Sequence, residues 1–196
     1  MLITMIRKLS FFSVIVGLLL PAGELQAGSA STTVSFSAFF YGGSCDVTVP
    51  NTVTYNNGAP LPYDELPNNK QSSQFTLTLT GCQGYFLTPR IAVKGNTFAA
   101  DNNERLYADA SSTTKGYGVR LSTPGNTLFN ANDNTAKSGN EVITIKTWPS
   151  GGTSNVERLN SSLDFTAVLA CGTCTASDTL QNGELTATVT FSFLYD

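Results

Sequence analysis

An all-β sandwich is the fold class this sequence predicts, and three observations predict it. Apolar and small polar side chains alternate along most of the chain, which is the two-residue period of a half-buried strand. No stretch of ten or more residues beyond the first 27 has convincing helical periodicity. Clusters of Gly, Pro and Asn break the alternating runs at short intervals, as turns between short strands do. Composition agrees, since 41 % of residues are hydrophobic and only 13 % charged, with Thr, Ser, Asn and Gly abundant; this is no signature of disorder. The chain has 196 residues, and removing a leader leaves 196 − 27 = 169, the size of one domain.

The first segment is a leader. Arg7 and Lys8 precede an apolar run from Leu9 to Leu20, followed by Pro21 and the small residues Ala27-Gly28-Ser29-Ala30, the three-part pattern of a secretory signal peptide. The run is about 12 residues where a membrane span needs about 20, and no later segment is long and apolar enough to span. Cleavage is expected after Ala27, with Ala30 as the reserve site. The mature chain then has 11 − 2 = 9 basic and 14 − 1 = 13 acidic residues, a net charge of −4, which disfavours nucleic acid as a partner.

The alternating runs follow in order. Val34, Phe36, Ala38 and Phe40 share one face of a first strand that ends at Gly42-Gly43. Asp46 to Val53 forms a second, interrupted or placed at an edge by Pro50. A proline-rich loop runs from Asn56 to about Ser73, with room for a helical turn near Tyr63 to Leu66. Gln74 to Cys82 is the clearest strand, with Phe75, Leu77 and Leu79 on one face and Thr76, Thr78 and Thr80 on the other. Further strands are expected at Arg90–Gly95, near Leu106, at Tyr117–Leu121, around Val142 to Ile145, and at Leu163–Ala170. The last runs from Gly183 to Tyr195, with Leu185, Ala187, Val189, Phe191, Phe193 and Tyr195 at every second position. Roughly eight strands with intervening turns suggest a sandwich.

Residue types exclude most chemistry. The chain has no histidine, so Ser-His-Asp and Cys-His nucleophiles and imidazole metal sites are absent. Asp64-Glu65 is the only adjacent acidic pair and reads as a solvated turn. Gly42-Gly43 and Gly151-Gly152 lack the Lys-Ser/Thr and the strand-to-helix setting of a phosphate loop. No cofactor or metal is implied, and no enzymatic activity is expected. The four cysteines allow three pairings, and in an oxidising compartment an even count points to disulfides. Proximity favours Cys171 with Cys174, leaving Cys45 with Cys82 across 82 − 45 = 37 positions. The strand-like flanks of Cys171-Gly172-Thr173-Cys174 argue against a thioredoxin-type site.

The order of these signals resembles the pilin subunits of chaperone–usher fimbriae. It comprises an alternating extension before a first Cys (Cys45), a strand-Gly-Cys ending (Gly81-Cys82), a Gly-x-Gly-Val-x-Leu strand (Gly116, Gly118, Val119, Leu121), and a Gly a dozen residues before a penultimate Tyr (Gly183, Tyr195). The resemblance implies an incomplete immunoglobulin-like sandwich, completed by a donor strand from another subunit. It divides the chain into a signal peptide (1–27), a donor extension (28–43) and a pilin domain (44–196). Val34, Phe36, Ala38 and Phe40 would be the donor residues, although Ala38 stands where the family commonly has glycine. Gly183, Leu185, Ala187, Val189, Phe191, Phe193 and Tyr195 would border the groove and meet the chaperone. The implied partners are a periplasmic pilus chaperone, an outer-membrane usher and neighbouring pilin subunits, and the implied location is an extracellular fimbrium supporting adhesion.

A second reading is a secreted carbohydrate-binding sandwich, in which Trp148 with Tyr107 or Tyr117 stacks on sugar. The leader makes a direct prediction: N-terminal sequencing of the exported protein should begin at Gly28, and retention of residues 1–27 would refute the assignment.

Overall fold

The threonine–leucine alternation before Cys82 becomes the longest strand of a two-sheet architecture in the computed structural model. The structure describes residues 34–38, 43–62, 66, 71–84, 88–100, 104–148, 156–174 and 180–195. The chain divides into two units, 1–38 and 39–196. In the first, residues 34–38 have no regular secondary structure, and Val34 and Phe36 are 65 % and 92 % exposed. The strand expected over Val34–Phe40 is therefore not formed in its described part; Phe39 and Phe40 lie outside the described residues.

The second unit is all-β. Its strands are β1 (Gly43–Thr48), β2 (Ser72–Gly84), β3 (Pro89–Gly95), β4 (Thr97–Ala99), β5 (Arg105–Tyr107), β6 (Gly118–Ser122), β7 (Val142–Thr144), β8 (Ser161–Ala170) and β9 (Val189–Tyr195). One antiparallel sheet has the order β1-β2-β8-β6-β5-β4 and the other β7-β3-β9. Their inner faces meet in one core containing Leu77, Leu79, Ile91, Val93, Tyr107, Phe129, Ile143, Leu163 and Phe165. The opposite face of β2 keeps Thr76 and Thr80 in solvent, so the two-residue period sorts the strand into a core side and a wet side.

Register builds an aromatic cluster that spans the two sheets. Phe75 on β2 lies opposite Phe165 on β8, and their rings stack at 5.4 Å. Phe191 of the other sheet meets Phe165 edge-on at 5.1 Å and Phe75 at 6.0 Å. Such pairs contribute about 0.5–1.5 kcal/mol each beyond the area they bury. The Cys45–Cys82 disulfide joins β1 to β2 beside a register shift between Ser44 and Asp46. Cys171–Cys174 closes the turn that follows β8.

Four further elements differ from their sequence expectation. The second strand stops at Thr48 instead of running to Val53, because Pro50 has no N–H to donate. A 3₁₀ turn forms at Asn56–Gly58; of the helical turn expected at Tyr63 to Leu66, residues 63–65 lie outside the described residues. The last ladder begins at Val189 and not at Gly183, since the chain facing 184–188 offers side chains as well as backbone as partners. β4, at three residues, is too short for its period to be detected.

These contacts set two expected costs. Replacing Phe165, which is 0 % exposed, by Ala should lower unfolding free energy in a denaturant titration by about 3–5 kcal/mol. Replacing Cys45 and Cys82 together by Ala should lower it by about 4 kcal/mol in the chain-entropy account.

Candidate functional site: a groove beside an unpaired strand edge

Beyond Thr48 the chain leaves its partner strand, and residues 49–61 pass as an irregular wall ending in the Asn56–Gly58 turn. The C-terminal residues 182–191 form a second wall. Between them lies a cavity of about 1030 Å³ whose floor includes Phe75, Val119, Leu121, Ala167 and Leu169. Glu184 is the only charged side chain in its lining among the described residues, so the trough is nearly neutral, with an apolar floor and threonines and asparagines along its walls.

The C-terminal wall alternates in burial. Leu185, Ala187, Val189 and Phe191 are half-buried, while Glu184, Thr186, Thr188 and Thr190 are exposed. Its backbone alternates too. The Asp109 amide donates to the Thr186 carbonyl at 2.7 Å and the Thr113 amide to the Glu184 carbonyl at 2.9 Å. In return, the Glu184 amide donates to Thr113 Oγ1 (2.8 Å), the Thr186 amide to Ser112 Oγ (3.0 Å) and the Thr188 amide to Asp109 Oδ1 (3.0 Å). All of these bonds use even-numbered wall residues. Successive residues of an extended chain direct their amides and carbonyls to opposite edges. The backbone groups of Leu185 and Ala187 therefore face away from 109–115, and among the described residues they have no hydrogen-bond partner. β9 continues this arrangement, paired with β3 and standing at the edge of its sheet.

Two glycines hold the wall close. A Cβ at Gly183 would lie 2.5 Å from Thr113 Oγ1, and one at Gly95 would lie 2.6 Å from the Thr188 carbonyl oxygen, so neither position accepts a larger residue without displacement.

At one end of the trough Tyr55, Leu61, Tyr117 and Leu185 pack around Leu66, Leu169 and Cys171. Tyr55 Oη and Thr114 Oγ1 are buried without a hydrogen-bond partner among the described residues. Burial pushes the Tyr55 phenol from 10.0 up to about 12. Burial also raises the Tyr107 phenol, with the Thr135 hydrogen bond opposing and the Glu141 charge adding to the rise.

Of the residues singled out by sequence, Leu185, Ala187, Val189 and Phe191 come together along one wall, with Gly183 at its start. Phe193 packs on the core, while Tyr195 is 37 % exposed with its ring 6.3 Å from that of Phe193. Val34, Phe36 and Ala38 are exposed. The aromatic residues considered for sugar stacking are buried or half-buried, Tyr117 among them. Tyr107 is 1 % exposed and donates to Thr135 Oγ1 at 3.2 Å, and Trp148 packs against the core. Asp64, Glu65 and Asp196 lie outside the described residues. Sequence reasoning missed the opposite wall at 49–61 and the acceptors Asp109, Ser112 and Thr113. Their only local signal is a polar turn composition shared with many loops. No helix among the described residues is long and apolar enough to cross a membrane.

No family model matches this chain, and no curated protein matches it. Among solved structures it is similar to a crystal structure of the P pilus rod subunit PapA. The alignment covers 84 % of this chain and 100 % of that chain, with 13 % identity and a TM-score of 0.40.

The buried phenol sets a pH dependence. The folded protein keeps a proton that an unfolded Tyr55 releases near pH 10, so stability present below pH 10 should decline as pH rises from 10 toward 12. Thermal melts should show a shallower decline for Tyr55→Phe, the remainder arising from Tyr107. An identical slope in both proteins would contradict the assignment.

Proposed function

We propose that this protein is a structural subunit of a bacterial fimbria, assembled by taking a β-strand from another molecule into the 1030 Å³ groove. The single observation that carries this reading is the placement of unpaired backbone groups at Leu185 and Ala187 beside an apolar trough. A free edge supplies main-chain hydrogen bonds and a trough supplies pockets for alternate side chains, which is the geometry of strand addition.

The same chain carries a suitable donor. Val34, Phe36, Ala38 and Phe40 occupy alternate positions ahead of Gly42-Gly43, and Val34 and Phe36 stand exposed. Burying Val34, Phe36 and Phe40 contributes roughly 5–9 kcal/mol at about 1.5–3 kcal/mol each, before any ladder hydrogen bonds form. In this reading residues 1–27 direct export, 28–43 are the donor extension and 44–196 form the receiving domain. A periplasmic chaperone fills the groove first, with Gly183 to Tyr195 as its main contact. An outer-membrane usher then exchanges that strand for the extension of a neighbouring subunit, and the fibre supports cell adhesion. The role is architectural, without enzymatic turnover.

Deletion of Thr33 to Phe40 tests the proposal. The truncated subunit should be recovered bound to its chaperone and absent from fibres, as seen by electron microscopy and immunoblotting of surface material. Incorporation at the unaltered level would overturn it.

A further inference from the structure

We infer that Asp109, Ser112 and Thr113 are positioning residues that hook the groove wall at 184–188 in place and thereby set the register at which an entering strand is read. The inference rests on the strand-receiving function proposed above and names the residues that govern its specificity.

A regular antiparallel ladder fixes register through reciprocal backbone bonds. The segment opposite this wall cannot provide them all, because it turns within Asp109–Ser112, where the Ser112 amide donates to the Asp109 carbonyl at 3.0 Å. Side chains supply the missing acceptors at a two-residue spacing: Thr113 Oγ1 for residue 184, Ser112 Oγ for 186 and Asp109 Oδ1 for 188. Two of the hooks are doubled. Ser112 Oγ also donates to the Thr186 carbonyl at 2.8 Å, and Thr188 Oγ1 donates to Asp109 Oδ2 at 2.6 Å.

Spacing and function are linked by parity. Holding 184, 186 and 188 toward the hooks leaves the amides and carbonyls of 185 and 187 facing the other edge, and turns the Leu185 and Ala187 side chains inward. A slip of one residue exchanges the two sets. It would turn the Glu184, Thr186 and Thr188 side chains, now exposed, toward the trough floor and turn Leu185 and Ala187 out to solvent. Gly183 and Gly95 limit such a slip at the two ends by admitting Thr113 Oγ1 and the Thr188 carbonyl at distances no Cβ tolerates. Between those ends, three side chains complete a register to which the main chain contributes only the Asp109 and Thr113 amides on the Thr186 and Glu184 carbonyls, with Thr114 more distant.

The test uses the leader-free full chain refolded with a synthetic peptide of residues 29–42 that carries a photoreactive benzoyl-phenylalanine at position 36. Cross-links are located by mass spectrometry and peptide dissociation is timed after dilution. The unaltered chain should cross-link at one position in the groove. The pair Asp109→Ala and Ser112→Ala should spread the cross-links over two or more positions and speed dissociation about tenfold. Asp109→Asn and Thr113→Ser, which keep an acceptor oxygen, should preserve the single position. If the double variant does not fold, Ser112→Ala alone should show the same spread. A merely structural role predicts a lower melting temperature with an unmoved cross-link, so one unchanged position and dissociation within twofold in Ser112→Ala would overturn the inference. Failure of the peptide to cross-link to the unaltered chain would instead overturn the strand-receiving reading, and the inference with it.

Discussion

Residues 184–195 form an extended segment with two hydrogen-bonding edges, and the structure satisfies one of them. Asp109, Ser112, Thr113 and then β3 occupy the inner edge. The outer edge, at Leu185 and Ala187, meets no partner among the described residues. An unpaired backbone group in an apolar setting is costly, and an apolar trough beside it adds exposed hydrophobic surface. The two liabilities reinforce each other, because a strand that bonds the edge also covers the trough. The functional proposal follows from that coincidence more than from any single side chain.

The rest of the second unit holds the sandwich together beside this edge. Phe191 reaches from β9 to the stacked Phe75 and Phe165, so the edge strand is anchored through its side chains to the facing sheet. Two of the three, Phe75 and Phe191, are part of the groove lining, and Phe165 is buried in the core. Covalent bonds support the neighbouring ends: Cys45–Cys82 holds β1 against β2, and Cys171–Cys174 closes the turn behind Leu169. A protein with an incomplete edge gains from constraints on its unfolded chain, which disulfides provide independently of how well the edge is covered.

The sequence made the inward face of the groove legible and left its boundaries obscure. Leu185, Ala187, Val189 and Phe191 share a face because a strand repeats every two residues, and that inference needs no knowledge of neighbours. The same logic marks Leu77 and Leu79 as core and Thr76 and Thr80 as surface, which is how the structure places them. It fails where partners decide the outcome. The ladder begins at Val189 instead of Gly183 because the facing chain turns at Asp109–Ser112, a contact across some 75 residues that no local pattern encodes. Tyr107 has the composition of a binding aromatic but is enclosed by the core and bonded to Thr135.

Period, cysteine count and the lack of histidine are local or compositional properties, so the sequence alone determined an all-β chain without imidazole chemistry. Whether an alternating segment finds a neighbour on each edge depends on chain reversals many residues apart. Only the tertiary structure could decide that 49–61 and 182–191 stand as two walls with no strand between them among the described residues, because side-chain period specifies which face is apolar and says nothing about which edge is filled.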